Sequence, residues 1–162
     1  MDKGEEMSEE IDDELELNDY REDEKDEVVL KTHEKINRYL NGEILKMENG
    51  YVETRLSTSE EMLADDQGLI HGGFIFSAAD FAAMVAVNER NVVLVGSECQ
   101  FLSPVKLRDD VNFVAKVRHK EGRKRNVHVT GHVFHIKVFE GEFKTVITER
   151  HVLKLKLLEE EQ

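Results

Sequence analysis

One carboxylate lies inside an apolar stretch of the sequence, where an unpaired charge is unfavourable. Residues 69–88, LIHGGFIFSAADFAAMVAVN, are nearly all apolar after their two glycines, and Asp80 lies in the middle. Burial of an ionised carboxylate without a partner costs free energy and raises its pKa. A general base needs a pKa near the working pH, so Asp80 is a candidate general base that faces a cavity. A structural alternative stays open, in which Asp80 bonds Ser77, a strand or a partner subunit.

The start of the same segment has the residue types of an oxyanion site. Gly72 and Gly73 follow His71 where a helix is predicted to begin. Glycines let a ligand approach the backbone closely, and the first N–H groups of a helix attract negative charge or a polarised carbonyl oxygen. These amides could therefore stabilise an oxyanion. An ordinary glycine-rich helix start is the alternative.

The elements that must position these groups are predicted to be one long helix and an antiparallel sheet. The helix runs from about Gly72 to Asn88, and a shorter one is predicted from about Lys31 to Leu40. An Asn-Gly dipeptide between two short β-type runs predicts a hairpin over residues 43–57. Four β-branched segments follow, at residues 91–105, 109–120, 125–139 and 142–158, with turns predicted at KLRDD, KEGRKR and EGE. Short connections favour antiparallel neighbours, so the fold class is α+β.

The long helix predicts a second subunit. Apolar residues lie around most of its circumference, and a single sheet can cover only one side of a helix. Five residues three or four apart share one stripe of the helix: Gly73, Ser77, Asp80, Met84 and Asn88. Eight residues separate Gly72 from Asp80, which is about 12 Å along one helix at 1.5 Å per residue. If the two cooperate on one carbonyl, they must come from different subunits.

The charge of the chain is concentrated at its N-terminus. The 162 residues carry a net charge of −13, and residues 1–27 alone hold 15 acidic and 3 basic side chains. Such a run cannot bury enough apolar area to order itself, so residues 1–27 are predicted to be a disordered acidic tail and residues 28–162 a single domain. No stretch is apolar over the roughly 18 residues that a membrane span needs, and no signal peptide is evident. These features predict a cytoplasmic protein, in keeping with a single cysteine, Cys99.

The segment GLIHGGFIFSAADFA resembles the hotdog-fold superfamily of acyl-CoA thioesterases, and it is most similar to the phenylacetyl-CoA type. The resemblance covers roughly residues 43–156. It implies a central helix wrapped by a curved antiparallel sheet, in a homodimer or a dimer of dimers. It places the catalytic carboxylate on Asp80 and the carbonyl-polarising amide on Gly72 and Gly73, with His71 shaping the site.

The sequence also departs from that family. Many members carry an asparagine six residues before the histidine, where this chain has Asp65, with Gln67 nearby. Together with Ser77 and Met84, these residues are the candidates for substrate binding. The segment FLSPVKL is similar to the malonyl-CoA-binding effector domain of lipid-synthesis regulators, which sense an acyl-CoA without chemistry. Those regulators replace the catalytic carboxylate with an amide, whereas Asp80 is retained.

A dense basic cluster could hold the phosphates of coenzyme A, and it consists of Arg123, Lys124 and Arg125. A solvated hairpin tip is the alternative. Three clustered cations beside an acidic tail are a poor footprint for nucleic acid. No metal site is expected, because three nearby histidines do not form a compact ligand set on a strand: His128, His132 and His135.

The leading hypothesis is an acyl-CoA thioesterase of lipid metabolism that binds its substrate between subunits and needs no cofactor beyond the coenzyme A of the substrate. Asp80 would act as general base or as nucleophile, and the sequence does not choose between them. The competing hypothesis is a non-enzymatic acyl-CoA sensor whose acidic tail engages a protein partner. A dehydratase or hydratase on the same fold is a weaker third possibility.

Overall fold

A 16-residue helix packs against a six-stranded antiparallel sheet and contacts every strand of it. The computed structural model describes residues 27–155. The helices and strands, in chain order, are α1 (Arg38–Asn41), β1 (Glu43–Glu48), β2 (Tyr51–Ser57), α2 (Gly72–Val87), β3 (Val92–Phe101), β4 (Asp110–Glu121), β5 (Lys124–Val133) and β6 (Ile136–Ile147). Two short 3₁₀ turns lie at Glu60–Met62 and Val152–Lys154.

The strand order β1-β2-β4-β5-β6-β3 leaves β1 and β3 at the two edges. The predicted hairpin is confirmed: β1 pairs with β2 through a turn at Asn49 and Gly50, and Gly50 has the positive φ of 75° that such a turn requires. The chain then crosses to the far edge through α2 and β3 before it returns through β4, β5 and β6. This crossover places α2 against the whole inner face of the sheet.

Alternation along the strands produces an apolar inner face and a polar outer face. In β5, for example, Val127 and Val129 are fully buried, while His128 between them points to the outer face with Glu142 of β6. Most of α2 is also buried, including Phe81 and the small residues around it. One hydrophobic core therefore fills the space between the helix and the sheet.

Two sequence predictions were wrong. The helix expected from Lys31 to Leu40 is only the four-residue α1, because residues before it form an irregular segment anchored elsewhere. Its backbone is held by Asn88, whose side chain bonds Lys31 N at 2.8 Å and Val29 O at 2.9 Å. Asn88 has the left-handed conformation that ends α2, so this one residue ties the segment to the helix end.

The last hairpin turn was also misplaced. It was expected at residues 140–142, EGE, but those residues lie inside β6 and the turn is at Phe134 and His135. Glu140 and Glu142 alternate onto the outer face, while Gly141 lies where a Cβ would be only 3.1 Å from Cys99 Sγ. The glycine therefore serves close strand packing, not a turn.

No helix within residues 27–155 is both long enough and apolar enough to cross a membrane. The predicted acidic tail lies outside the described residues except for Glu27. Its predicted disorder and the cytoplasmic location stay predictions.

Candidate active site

Asp80 lies in the middle of α2 with one carboxylate oxygen enclosed and without a partner. Its Oδ1 is buried and accepts no hydrogen bond from any described residue. Burial raises the pKa of Asp80 from its ordinary value of 3.8 to about 6. A carboxylate with that pKa is mostly ionised at neutral pH yet still basic enough to accept a proton.

Ser77 does not provide the missing hydrogen bond, so this part of the structural alternative for Asp80 was wrong. The Ser77 hydroxyl donates to Asn41 Oδ1 at the end of α1. Asn41 is 8% exposed, and its Nδ2 donates to Asn37 O at 2.8 Å. Ser77 is thus tied to the neighbouring helix, although it lies one turn from Asp80.

The start of α2 presents its first amides beside an imidazole. His71 is the N-cap, and its exposed ring contacts the Phe74 ring edge-on with centroids 6.1 Å apart. A Cβ on Gly73 would lie 2.9 Å from His71 Nε2, so this position requires glycine unless the ring moves. Gly73 is exposed and Gly72 is half-buried. The first N–H groups of a helix have no partner within the helix, so they are available to a carbonyl oxygen.

An apolar groove of about 330 Å³ begins beside Gly72. Phe101, at the end of β3, forms one wall, and its ring would lie 3.5 Å from a Cβ on Gly72. Other apolar side chains of its wall are Leu69, Ile75 and Leu102. An apolar chain whose carbonyl met the Gly72 amide could extend along this groove.

The loop before α2 uses Asp65 to hold its own backbone. Asp65 Oδ1 accepts hydrogen bonds from Gln67 N at 2.8 Å and from Leu69 N at 3.2 Å. Asp65 and Gln67 are both exposed. The Asp65 carboxylate therefore fixes the turn that leads into His71 and can offer a ligand acceptor oxygens only.

The basic cluster lies at the opposite end of the sheet from Gly72 of the same subunit. Lys124 pairs with Val146 of β6, whereas Phe101 pairs with Phe139, seven residues away and about 23 Å at ~3.3 Å per residue. At the hairpin tip Arg123 forms an ion pair with Glu149.

Arg125 donates instead to the turn carbonyls Gly122 O, at 2.7 Å, and Lys124 O, at 2.9 Å. The exposed Lys124 is the cluster residue whose side chain makes no hydrogen bond or ion pair with the described residues.

The structure places the remaining candidate residues away from the groove beside Gly72. Met84 is 1% exposed and packs in the core, so it offers no surface to a ligand in this conformation. His128 lies on the outer face, and residues 27–155 contain no group of three or more His, Cys, Asp or Glu side chains arranged to hold a metal ion.

Two site residues were missed from the sequence, Asn41 and Phe101. Asn41 lies in an Asn-Gly pair that is typical of a turn, and its bond to Ser77 spans 36 residues. Phe101 lies at a strand end, and only the sheet topology brings it to Gly72. Neither contact has a signal within the local sequence.

Comparisons with known proteins identify the family of this chain. The sequence profile described as Thioesterase superfamily matches residues 67–138. The chain is 33% identical over 106 residues to Acyl-coenzyme A thioesterase PaaI of Escherichia coli, covering 64% of this chain and 70% of PaaI. It is 51% identical over 117 residues to Methylthioribose-1-phosphate isomerase of Aquifex aeolicus, which is 72% of this chain but 26% of that protein. Transcription factor FapR of Staphylococcus aureus is 26% identical over 102 residues, which are 63% of this chain and 55% of FapR.

Solved structures share the fold of this chain. The uncharacterized protein PH1136 from Pyrococcus horikoshii has a TM-score of 0.77 at 42% identity, over 78% of this chain and 98% of its own. Cj0977, a sigma28-regulated virulence protein from Campylobacter jejuni, has a TM-score of 0.74 at 41% identity, over 76% of this chain and 95% of its own. A hypothetical thioesterase from Streptococcus pneumoniae, solved with coenzyme A, shares the fold with a TM-score of 0.63 at 22% identity, over 70% of this chain and 90% of its own. A family profile, relatives above 30% identity and the wrapped helix thus agree, and the chain belongs to the thioesterase superfamily with the hotdog fold.

Proposed function

We propose that this protein binds an acyl-CoA between two subunits and hydrolyses its thioester. The observation that carries the proposal is the buried Asp80 oxygen, which has no hydrogen-bond partner within residues 27–155 and lies on the helix that starts at Gly72 and Gly73 and is preceded by His71. A buried carboxylate left without a partner destabilises a fold, so its presence is explained better by chemistry than by structure.

The chemistry needs a base and an oxyanion site. The Gly72 and Gly73 amides of one subunit would polarise the thioester carbonyl. Asp80 of the partner would take a proton from water as the water oxygen bonds to the carbonyl carbon. When the C–S bond breaks, the coenzyme A sulfur leaves with the electron pair and recovers that proton from Asp80. Alternatively, the Asp80 carboxylate attacks the carbonyl carbon, the C–S bond breaks, and coenzyme A leaves as the thiolate. Water then cleaves the resulting anhydride, which restores the Asp80 carboxylate and supplies the proton of the thiol.

The exposed edge of β3 is the best candidate for the subunit contact. It is a ten-residue edge strand with a single charged residue, Glu98, whereas the other edge, β1, has three charged residues in six. Long apolar edges are sites for pairing with another chain, and charges protect an edge from it. Val95 and Phe101 on β3 are 63% and 54% exposed. Pairing of β3 with its copy would extend the sheet across a twofold axis.

Such pairing would also give the basic cluster a place in the site. In an antiparallel β3 pair centred near Gly96, the Val92 end of one strand lies beside the Phe101 end of the other. Lys124 lies near the Val92 end, because both are paired with the last residues of β6. The partner's basic hairpin would then approach the groove beside Gly72, where coenzyme A phosphates could meet it.

The test is release of free thiol from short, long and aromatic acyl-CoAs by the wild type, by Asp80→Asn and by Asp66→Asn. Asp66 is an exposed carboxylate on the loop before α2, so its variant controls for the loss of a negative charge. We expect Asp80→Asn to lower turnover about 10²- to 10⁴-fold and Asp66→Asn to leave it within about twofold. Equal turnover in the wild type and Asp80→Asn rejects the catalytic assignment.

A second candidate function is acyl-CoA sensing without hydrolysis, and Asp65 favours it. Its carboxylate holds two backbone amides and cannot donate a hydrogen bond to a thioester as the family's asparagine amide could. A sensor would bind acyl-CoA saturably, measured by calorimetry, yet release no thiol from any member of the panel. In that case the partner sought next would be a protein that binds the acidic tail.

A further inference from the structure

A hydroxyl lies one helical turn from Asp80 and is turned away from it. Residues three apart on a helix are neighbours, so the Ser77 hydroxyl is within the range from which it could donate to the Asp80 carboxylate. The hydroxyl has one proton, and in the structure this proton goes to Asn41 Oδ1. Asp80 Oδ1 remains buried and without a donor from the described residues.

The orientation of the Asn41 amide is fixed by a second hydrogen bond. Its Nδ2 donates to Asn37 O, at 2.8 Å, so its Oδ1 is the atom that faces Ser77. Asn37 in turn caps α1, because its Oδ1 accepts from Leu40 N at 3.2 Å. Both helices therefore hold Asn41 with an acceptor toward Ser77, and rotation of the amide would break the Asn37 bond and place Oδ1 against another acceptor, Asn37 O.

We propose that Asn41 is a positioning residue for the proposed hydrolysis, because it accepts the hydrogen bond of the Ser77 hydroxyl and so withholds from Asp80 a donor one helical turn away. The inference rests on the proposed function only for its consequence in catalysis, since the withholding itself is a property of the fold. It explains why α1, although only four residues long, is capped and packed against α2.

The consequence concerns the basicity of Asp80. A hydrogen bond donated to a carboxylate stabilises its charged form and lowers its pKa. The pKa of Asp80 is raised by burial, with no charged side chain of residues 27–155 contributing to the shift. A donated bond from Ser77 would counteract the burial and leave a weaker base.

The experiment is a ¹³C NMR titration of the Asp80 carboxyl carbon in four full-length proteins: the wild type, Asn41→Ala, Ser77→Ala and the double variant. We expect Asn41→Ala to release Ser77 and lower the Asp80 midpoint by about one pH unit. Ser77→Ala and the double variant should keep the midpoint of the wild type. The acid limb of kcat/KM should move to lower pH in Asn41→Ala alone.

Two outcomes would overturn the proposal. An unchanged midpoint in Asn41→Ala would show that Ser77 does not turn to Asp80 when it is released. An equal shift in the double variant would show that the change acts through burial and not through Ser77. If Asn41→Ala fails to fold, Asn41→Leu fills a similar volume without the acceptor and is titrated in its place. The NMR midpoint does not depend on turnover, so a protein without thioesterase activity still tests the withholding.

Discussion

Asp80 and His128 are both half-buried titratable side chains, but the structure treats their polar atoms in opposite ways. His128 lies on the outer face of β5 with both ring nitrogens next to carboxylates of β6. Its Nδ1 is 2.5 Å from Glu142 Oε1, and its Nε2 is 3.2 Å from Glu140 Oε1. Asp80 Oδ1 lies on the inner side of the sheet and has no partner among the described residues.

This difference in hydrogen-bond partners identifies the surroundings of His128 as a structural cluster and those of Asp80 as a candidate site. A polar group with partners beside it, as His128 has in Glu142 and Glu140, needs no further explanation. A buried group without partners costs free energy, and natural folds keep such costs mainly where function requires them. The residue that looks richer in chemistry, a histidine between two glutamates, is therefore the weaker candidate.

Of the effects that this comparison predicts, the largest is on the pH dependence of turnover. If Asp80 must be ionised to act, kcat/KM falls below the pKa of about 6 and is about tenfold lower at pH 5 than on the plateau. His128→Gln should keep both the plateau rate and the midpoint, because His128 lies on the other face of the sheet. A midpoint that moved with His128→Gln, while staying fixed when Asp80 is changed, would reverse the assignment of the two residues.

A second prediction compares the stability of Asp80→Asn with that of the wild type as the pH changes. Well below pH 3.8 Asp80 is protonated in both the folded and the unfolded chain, so its ionisation has no effect. Between pH 4 and 6 the unfolded chain releases the proton first, because burial has raised the pKa only in the folded state. Above pH 6 the wild type carries the full penalty, about 3 kcal/mol for a shift from 3.8 to about 6.

Asp80→Asn lacks this penalty. Its free energy of unfolding should therefore exceed that of the wild type at pH 7.5, and the gap should close as the pH falls to 4. Urea unfolding at four pH values measures the gap, and Asp66→Asn serves as the control without a gap. A gap that grew toward acid pH would contradict a raised pKa in the folded state.

The sequence predicted the elements whose signals are local. Asn49 and Gly50 favour the tight turn between β1 and β2, and the apolar segment with its glycines defines the start of α2. The turn at Phe134 and His135 was missed because Phe134 adopts a positive φ of 53°, which a phenylalanine rarely does. Only the register of β5 with β6 shows that the chain must reverse there.

The candidate site also has a part that local sequence signals predict and a part that they do not. Asp80 was predicted because a charge within an apolar helix is visible in the sequence itself. The absence of a partner for its Oδ1 was not predictable, because it depends on where the Ser77 proton goes. That direction is set by Asn41, which is 36 residues away and reaches Ser77 only after α1 packs on α2. Contacts of this length depend on topology, which local patterns do not contain.

The smallest expected effect is on the stability of the outer-face cluster. The side chain of His128 is 14% exposed and that of Glu142 is 43% exposed, so water screens part of their interaction. We expect His128→Gln to lower the free energy of unfolding by about 1 kcal/mol at pH 7. Glu142→Gln should lower the free energy of unfolding by a similar amount or less. Glu142 also faces Glu98, a like charge directly opposite on β3, and the variant removes that repulsion.

The double variant His128→Gln/Glu142→Gln then measures the coupling between the two side chains. If the cluster is structural, the two losses are not additive and differ from their sum by about 0.5–1 kcal/mol, while turnover is unchanged in all three variants. Additive losses would show that the 2.5 Å contact contributes nothing to stability. A loss of turnover in any of the three would show that the outer face takes part in the reaction. The contrast between partnered and unpartnered polar atoms would then not distinguish structure from function in this protein.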